Sequence, residues 1–177
     1  MSGGGAGVAP VGALVALLAT VAVQRVSELV ISARHARRLI AAGAIEHGRA
    51  HFPLLVALHA LWPPALVAEV LVGQARPGPA WPVWLALFAG AQALRLASMA
   101  ALGDRWTARV LVLPGAPLVH RGPYRWLRHP NYLAVVVELV AAPMILGAWR
   151  TALGASLVNL IALGLRVRVE ERALGIR

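Results

Sequence analysis

Five apolar runs constrain this chain more than any other feature of its sequence. They cover residues 10–31, 52–73, 80–102, 132–147 and 151–165. A helix needs about 20 largely apolar residues to cross the hydrocarbon core of a bilayer, and the last two runs are slightly shorter than that. The break between those two runs, at Gly147 and the pair Trp149-Arg150, predicts a tight helical hairpin. The chain is therefore predicted to be an all-α integral membrane protein with about five transmembrane helices.

The overall composition agrees with a membrane protein. The chain is 59% hydrophobic and 14% charged, and its mean hydropathy is +0.71. A soluble domain rarely combines these values. Because the sequence shows no internal repeat and no linker-like shift in composition, residues 1–177 are predicted to form a single membrane domain.

The arginine residues predict the orientation. All 17 basic residues are arginine. Thirteen of them lie in segments that the predicted spans place on one side of the membrane: Arg34, Arg37, Arg38, Arg49, Arg105, Arg109, Arg121, Arg125, Arg128, Arg166, Arg168, Arg172 and Arg177. Only Arg76 and Arg150 lie in connections on the other side. Since cytoplasmic loops are rich in arginine, the N-terminus is predicted outside and the C-terminus in the cytoplasm, as in a multi-pass protein of the cytoplasmic membrane.

Three kinds of site and partner are not expected. The net charge of +10 is explained by the arginines that flank the spans, so no nucleic-acid partner is predicted. The chain has no cysteine, which excludes disulfides and thiolate chemistry. Its six histidines are scattered along the sequence, so no metal site is predicted.

Two connecting segments have patterns of their own. Residues 34–43 place three arginines on one helical face, which suggests either a short interfacial helix or a plain solvated loop. Residues 109–119 contain a Pro114-Gly115 step that suits a type II turn. This second segment is therefore predicted to be a small hairpin or an extended lid.

The polar segment 120–132 comes directly before the fourth apolar run. Pro130 is well placed as the first residue of a helix, whose free N–H groups would favour an anion. Arg125, Arg128 and His129 add positive charge there. After the fifth run, Arg166 and Glu170 share a helix face, and Glu171 follows them. The two helix ends could together hold a cofactor that carries charges of both signs.

These residues belong to motifs that can be compared with a known family. The motifs are Leu118-Val119, Gly122-x-Tyr124, Arg128-His129-Pro130-x-Tyr132 and Arg166-x-x-x-Glu170-Glu171-x-x-Leu174. In this order they resemble the isoprenylcysteine carboxyl methyltransferase family, whose members are integral membrane enzymes that use S-adenosyl-L-methionine. The resemblance implies a cofactor region at residues 113–134 and 159–177. It implies that the cofactor is contacted by Leu118, Val119, Tyr124, His129, Pro130, Asn131, Tyr132 and Glu170. Arg128 and Glu171 are added as cofactor-binding candidates because they are charged and lie beside these residues.

The earlier part of the chain is similar to a bacterial branch of that family. The similar segments are Gln24-Arg25-x-Ser27-Glu28-Leu29, Gly43-Ala44-x-Glu46-x-Gly48 and Trp106-Thr107-x-Arg109. This branch includes enzymes encoded beside type III polyketide synthases, which O-methylate alkylpyrones and phenolic lipids. The resemblance therefore implies methyl transfer to a carboxylate or hydroxyl oxygen of a lipid-like acceptor at the cytoplasmic face. The alternatives are a phospholipid N-methyltransferase and a non-catalytic membrane subunit of a lipid-synthesis assembly.

The catalytic candidates are Arg166, Glu170 and Glu138. The resemblance implies that Arg166 lies near the acceptor. A hydroxyl acceptor would gain from a general base, and Glu170, Glu171, His129 and Glu138 are the open choices for that role. The membrane-embedded charges Arg25 and Glu28, with Arg95 as a further candidate partner, are predicted to form a structural ion pair or to contact the substrate.

Overall fold

The computed structural model describes residues 5–50, 52–73 and 75–176, with side chains from Val11 onward. The helices are α1 (Gly5–Ala41), α2 (Phe52–Leu71), α3 (Trp81–Leu102), α4 (Pro130–Ile145) and α5 (Trp149–Ala173). Two three-residue strands are present, β1 (Ile45–His47) and β2 (Val110–Val112). Short 3-10 helices at Gly103–Arg105 and Gly122–Arg125 complete the described elements. The protein is therefore mostly helical, as predicted.

Four of the described helices are long and apolar enough to cross a membrane, namely α1, α2, α3 and α5. The fourth predicted span corresponds to α4, a shorter apolar helix of 16 residues. At 1.5 Å of rise per residue, α4 is about 24 Å long, less than the roughly 30 Å hydrocarbon core. The chain is therefore a multi-pass membrane protein with four candidate spanning helices and one shorter helix.

Two helices are longer than their apolar runs. Helix α5 continues past the run 151–165 to Ala173, because arginine and glutamate are good helix formers even where the sequence is no longer apolar. Helix α1 has 37 residues, about 55 Å, and continues unbroken through the arginine-rich residues 34–41. The segment predicted as a separate interfacial helix or loop is thus the projecting end of α1.

The small sheet differs from the predicted hairpin. Strand β2 pairs in antiparallel register with β1, with Leu111 opposite Glu46. Of the two predicted alternatives for residues 109–119, the hairpin is therefore wrong, because β2 pairs with a strand in the distant α1–α2 connection. The Pro114-Gly115 turn is confirmed, since the amide of Ala116 donates to the carbonyl oxygen of Leu113 at 3.2 Å and Gly115 has φ +76°.

The last two helices form the predicted hairpin. Helix α4 packs against both α3 and α5, and α2 packs against α5. Gly147 has φ +73° in the turn, and a Cβ atom there would overlap the carbonyl oxygen of Arg76. Only glycine satisfies both conditions, since it tolerates positive φ and has no side chain. The hairpin places the start of α4 beside the end of α5.

A buried cluster of four charged residues joins α1, α3 and α4. Arg25 pairs with Glu28 at 2.7 Å and also with Glu138, while Arg95 pairs with Glu138 and lies 3.4 Å from Glu28. The cluster contains two positive and two negative side chains, so its charges balance within the apolar helices. The predicted structural pairing of Arg25, Glu28 and Arg95 is confirmed, and the cluster includes Glu138 as its fourth member.

Glu69 on α2 holds the start of α5. Its carboxylate accepts hydrogen bonds from the backbone amides of Arg150 and Thr151, at 3.0 and 2.6 Å, and from the Thr151 hydroxyl at 2.6 Å. These are amides that the first turn of a helix leaves without a partner, and a carboxylate there also interacts favourably with the helix dipole.

We expect Glu69→Ala to lower the free energy of unfolding by about 1–2 kcal/mol, the usual size of a lost N-terminal cap. Glu69→Gln keeps an acceptor without the charge and should be affected less. Thermal unfolding in detergent measures both. Equal stability of the alanine variant and the wild type would contradict this role.

Candidate functional site

A cavity of about 220 Å³ lies where the ends of α1, α3 and α5 meet the loop between α3 and α4. Among the residues predicted from the sequence, it is lined by Leu118, Val119, Tyr124, Arg128, His129 and Glu170. Leu39 of α1 and Leu102 of α3 form part of its wall, and Leu174 and Ile176 close it from the C-terminal side. The two sequence motifs therefore meet at one pocket.

Tyr132 connects the two motifs. Its hydroxyl donates to the carboxylate of Glu170 and accepts a hydrogen bond from Nε of Arg166 at 2.7 Å. The Arg166 guanidinium also lies 5.3 Å from the centre of the Tyr132 ring. The helical spacing of Arg166 and Glu170 brings both onto one face of α5, and the α4–α5 hairpin places Tyr132 opposite them.

His129 supports this arrangement by stacking on Tyr132. The two rings are stacked, with centres 5.2 Å apart and planes inclined by 7°. His129 Nε2 lies 3.3 Å from an oxygen of Glu171, so the residue before α4 is also tied to α5. Arg166, Glu170 and Glu171 on α5 thus contact His129 and Tyr132 at the start of α4.

The first turn of α4 contains a buried acceptor, the side-chain oxygen of Asn131. Pro130 is at its start, and no side chain caps it. The amides of Tyr132 and Leu133 bond back to the carbonyl oxygen of His129. The amide oxygen of Asn131 is buried and has no hydrogen-bond partner within the described ranges. Because an unsatisfied buried acceptor is costly, this atom calls for a donor supplied by a ligand or water.

Tyr124 contributes a neutral phenol to the pocket. Burial, and secondarily the negative charge of Glu170, raise the pKa of its hydroxyl. Both effects disfavour the phenolate. Tyr124 can therefore act as a hydrogen-bond donor at physiological pH.

Two arginines that the sequence indicated only as topology signals hold the pocket loop in place. Arg105 donates to the carbonyl oxygen of Pro117 at 2.6 Å, next to the predicted contact Leu118. Arg121 donates through Nε to the carbonyl oxygen of Ala101 at 2.7 Å, which fastens the loop before Tyr124 to α3. No sequence signal distinguished these arginines from their neighbours, because their partners are backbone atoms.

Glu138 lies in a different place from the other two catalytic candidates. It is fully buried, and its two carboxylate oxygens accept from Arg25 and Arg95 in the charged cluster. Within the described part of the chain it forms no hydrogen bond or ion pair with Arg166 or Glu170, because it lies almost two turns further along α4 than Tyr132. These contacts indicate a structural role for Glu138, and its catalytic assignment stays a prediction. Within the described residues, no group of three His, Asp or Glu side chains could hold a metal ion.

Comparison with known proteins adds an independent line of evidence. Residues 84–176 match the family described as isoprenylcysteine carboxyl methyltransferase. A Bacillus subtilis (strain 168) protein, described as uncharacterized protein YpbQ, is 35% identical over 89% of this chain and 94% of its own length. An uncharacterized protein from Haemophilus influenzae is 30% identical over 85% of this chain and 88% of its own length. No solved structure matches the chain.

The family match covers more than half of the chain and includes both motifs and the hairpin between them. It confirms the resemblance predicted from residues 118–132 and 166–174. The chain belongs to the isoprenylcysteine carboxyl methyltransferase family, and this membership implies a membrane methyltransferase.

Proposed function

We propose that this protein transfers a methyl group from S-adenosyl-L-methionine to a carboxylate or hydroxyl oxygen of a lipid-like acceptor. Enzymes of its family generally use this cofactor. The observation that carries the proposal is the contact of Tyr132 with both Glu170 and Arg166 beside the pocket. An acidic and a basic side chain are held there by one tyrosine, where the last two helices meet.

The residues of the pocket fit the cofactor. Three parts of the chain would form its binding site. The loop before α4 would supply Leu118, Val119, Tyr124, Arg128 and His129. The start of α4 would supply Pro130, Asn131 and Tyr132, and α5 would supply Glu170 and Glu171. The unpartnered amide oxygen of Asn131 suits an ammonium or hydroxyl donor. The Glu170 carboxylate suits a ligand with positive charge. When bound, the cofactor supplies an electrophilic methyl group on a sulfonium sulfur.

Arg166 is proposed to bind the acceptor. Among the described residues, Nε is the guanidinium atom of Arg166 that donates a hydrogen bond, so its two terminal amino groups are available to a ligand. Those groups can hold a carboxylate or an oxyanion through two parallel hydrogen bonds. Arg166 would thereby position the nucleophilic oxygen and stabilise its negative charge. A cationic amine acceptor would be repelled, which disfavours the phospholipid N-methyltransferase.

Glu170 is proposed as the proton acceptor when the substrate is a hydroxyl. Among the candidate bases in the described residues, it is the one that both lines the pocket and accepts a hydrogen bond from the Tyr132 hydroxyl. A carboxylate acceptor carries no proton at neutral pH and would need no base. Positioning and desolvation by the pocket would supply the rest of the rate increase.

We also propose an orientation and a substrate group. The thirteen arginines at one side, including Arg121 and Arg128 near the pocket, support a site at the cytoplasmic face of the cytoplasmic membrane. Residues 1–177 are proposed to act as one domain, with α4 as a fifth, short span. The similarity of the earlier segments to the polyketide-associated branch supports alkylpyrones or phenolic lipids as acceptors.

Binding of S-adenosylhomocysteine tests the cofactor site. We expect Glu170→Gln and Tyr132→Ala each to weaken the affinity at least tenfold, or about 1.4 kcal/mol, by isothermal titration calorimetry. Asp104→Asn removes an exposed carboxylate that does not line the pocket and should leave the affinity unchanged. Equal affinities for all four proteins would remove the site assignment.

Transfer of a labelled methyl group tests the acceptor. An alkylpyrone or alkylresorcinol should yield a labelled ether, and a prenylcysteine a labelled ester. Label found only on amines would overturn the oxygen acceptor and favour phospholipid N-methylation. A protein that binds no S-adenosylhomocysteine at all would favour the non-catalytic membrane subunit.

A further inference from the structure

A groove separate from the candidate site lies between α1 and α3 along the apolar part of both helices. Its volume is about 620 Å³. Its walls come from α1 between residues 19 and 31 and from Leu96 and Met99 of α3. Leu96 is 64% exposed, so the groove opens at the surface that faces lipid. An opening of this kind between two membrane helices will be occupied by a molecule from the bilayer.

The wall formed by α1 carries a polar stripe. Thr20, Gln24 and Ser27 are spaced by four and three residues, which places them on one face of the helix. The hydroxyl hydrogens of Thr20 and Ser27 are donated to the carbonyl oxygens of Ala16 and Val23, each at 2.8 Å. The amide nitrogen of Gln24 donates to Glu28 at 2.9 Å. What these side chains chiefly offer to the groove is therefore acceptor oxygens.

Such acceptors are unfavourable against pure hydrocarbon, because no lipid tail can donate a hydrogen bond to them. A molecule with an apolar chain and a hydroxyl donor would satisfy both parts of the groove. Its chain would lie against Val23, Leu96 and Met99, and its hydroxyl would reach Gln24 or its neighbours. The hydrogen-bonding character of the stripe thus selects a hydroxyl-bearing amphiphile over a plain acyl chain.

The groove lies in line with the candidate site. The same two helices form the wall of the pocket further along, through Leu39 of α1 and Leu102 of α3. Between groove and pocket, the segment 104–108 is fastened to α1. The Ala108 amide donates to the Ser32 hydroxyl at 2.9 Å, and His35 Nδ1 lies 2.9 Å from the Trp106 carbonyl oxygen. Segment 104–108, with the buried side chain of Trp106, therefore stands between the two cavities.

We propose that the α1–α3 groove binds a hydroxyl-bearing, single-chain amphiphile from the bilayer and that segment 104–108 separates this site from the cofactor pocket. The inference rests on the proposed function, since it takes the groove to be the site where the lipid-like acceptor binds before it reaches Arg166 beside the cofactor pocket. It adds a defined place and a hydrogen-bonding preference for that acceptor.

The test uses photolabelling of the whole protein in lipid nanodiscs. The probe is an alkylphenol with a diazirine in its tail, and a matched alkylbenzene probe lacks the hydroxyl. We expect the phenol probe to label α1 near Gln24 and α3 near Met99. Met99→Trp fills the groove and should lower this labelling about tenfold. Val26→Trp adds the same side chain on a lipid-facing position outside the groove and should leave labelling unchanged.

A second measurement does not depend on the tryptophan variant folding. Because the chain has no cysteine, Thr20→Cys gives a single thiol in the groove. Unlabelled alkylphenol should slow the reaction of this thiol with a thiol-specific reagent, and alkylbenzene should slow that reaction less. Labelling of the exposed face of α5 to the same extent as the groove would overturn the proposal, and so would equal protection of the thiol by alkylphenol and alkylbenzene.

Failure of this inference can be told apart from failure of the proposed function. Absence of groove labelling in a protein with normal S-adenosylhomocysteine binding and methyl transfer would contradict the groove proposal alone. Specific groove labelling in a protein that binds no S-adenosylhomocysteine would sink the transferase assignment, and with it the assignment of the bound amphiphile as acceptor.

Discussion

Replacing Arg166 by alanine is expected to lower the rate of methyl transfer about a hundredfold to a thousandfold. This is the effect of removing a single hydrogen-bond donor that stabilises developing or bound negative charge in an enclosed site. The variant loses the terminal amino groups proposed to hold the acceptor and the Nε donor to Tyr132. Single-turnover transfer of a labelled methyl group, with saturating cofactor and acceptor, measures this rate.

Two further variants sharpen that result. Arg168→Ala removes an equal charge two residues away on the exposed face of α5 and should change the rate little. Arg166→Lys keeps the charge without the planar fork, so only partial recovery is expected. An alanine variant as fast as the wild type would exclude Arg166 from the reaction. A loss confined to S-adenosylhomocysteine affinity would move Arg166 to the cofactor side of the site.

Replacing Glu138 by alanine is expected to lower the free energy of unfolding by about 3–5 kcal/mol, the usual cost of removing one partner from a buried ion pair. The change leaves Arg25 and Arg95 with only Glu28 to balance them, so one positive charge is left uncompensated among apolar helices. Reversible unfolding in mixed micelles measures the effect.

A second substitution separates charge imbalance from lost packing. Glu138→Leu combined with Arg95→Leu leaves the balanced pair Arg25–Glu28, which are 2.7 Å apart. The double variant should therefore be more stable than Glu138→Leu alone. The folded fraction of each variant should bind S-adenosylhomocysteine with the wild-type affinity. Full stability of Glu138→Ala together with lost methyl transfer would contradict the structural role and support the predicted catalytic role of Glu138.

The elements of the fold were predictable because a bilayer makes strict demands on sequence. Apolar runs of the required length mark α1, α2 and α3, and Pro130 and Gly147 mark the start of α4 and the hairpin turn. The end of α5 was not predictable from hydropathy. Its last residues are charged, and they remain helical because α5 packs against α4 and Glu170 and Glu171 bond to residues at the start of α4.

The β1–β2 pairing shows a different limit. Residues 110–112 are recognisable as a strand from their sequence. Their partner is β1, and β1 reaches them only because of the length of α1 and the direction of the chain that follows it. Local pattern indicates the tendency to pair and not the partner, because strand pairing is a contact between distant parts of the chain. Glu138 illustrates the same limit for charge: its position in the apolar run predicts importance, while its role depends on which side chains face it.

Local sequence pattern is enough to predict the membrane environment, the hairpin and the residues of the two motifs. Hydrophobic length, proline and glycine have their effect within a single segment of the chain, so no knowledge of distant contacts is needed. Three other features depend on how the helices pack. Tyr132 links Arg166 to Glu170, Glu138 balances the charges of Arg25 and Arg95, and α1 and α3 leave a polar-walled groove between them. These are properties of helices packed against one another. The energetic effect of a buried charge or an unpaired acceptor depends on the groups that face it from the neighbouring helix. The spacing of residues within one helix does not specify those groups.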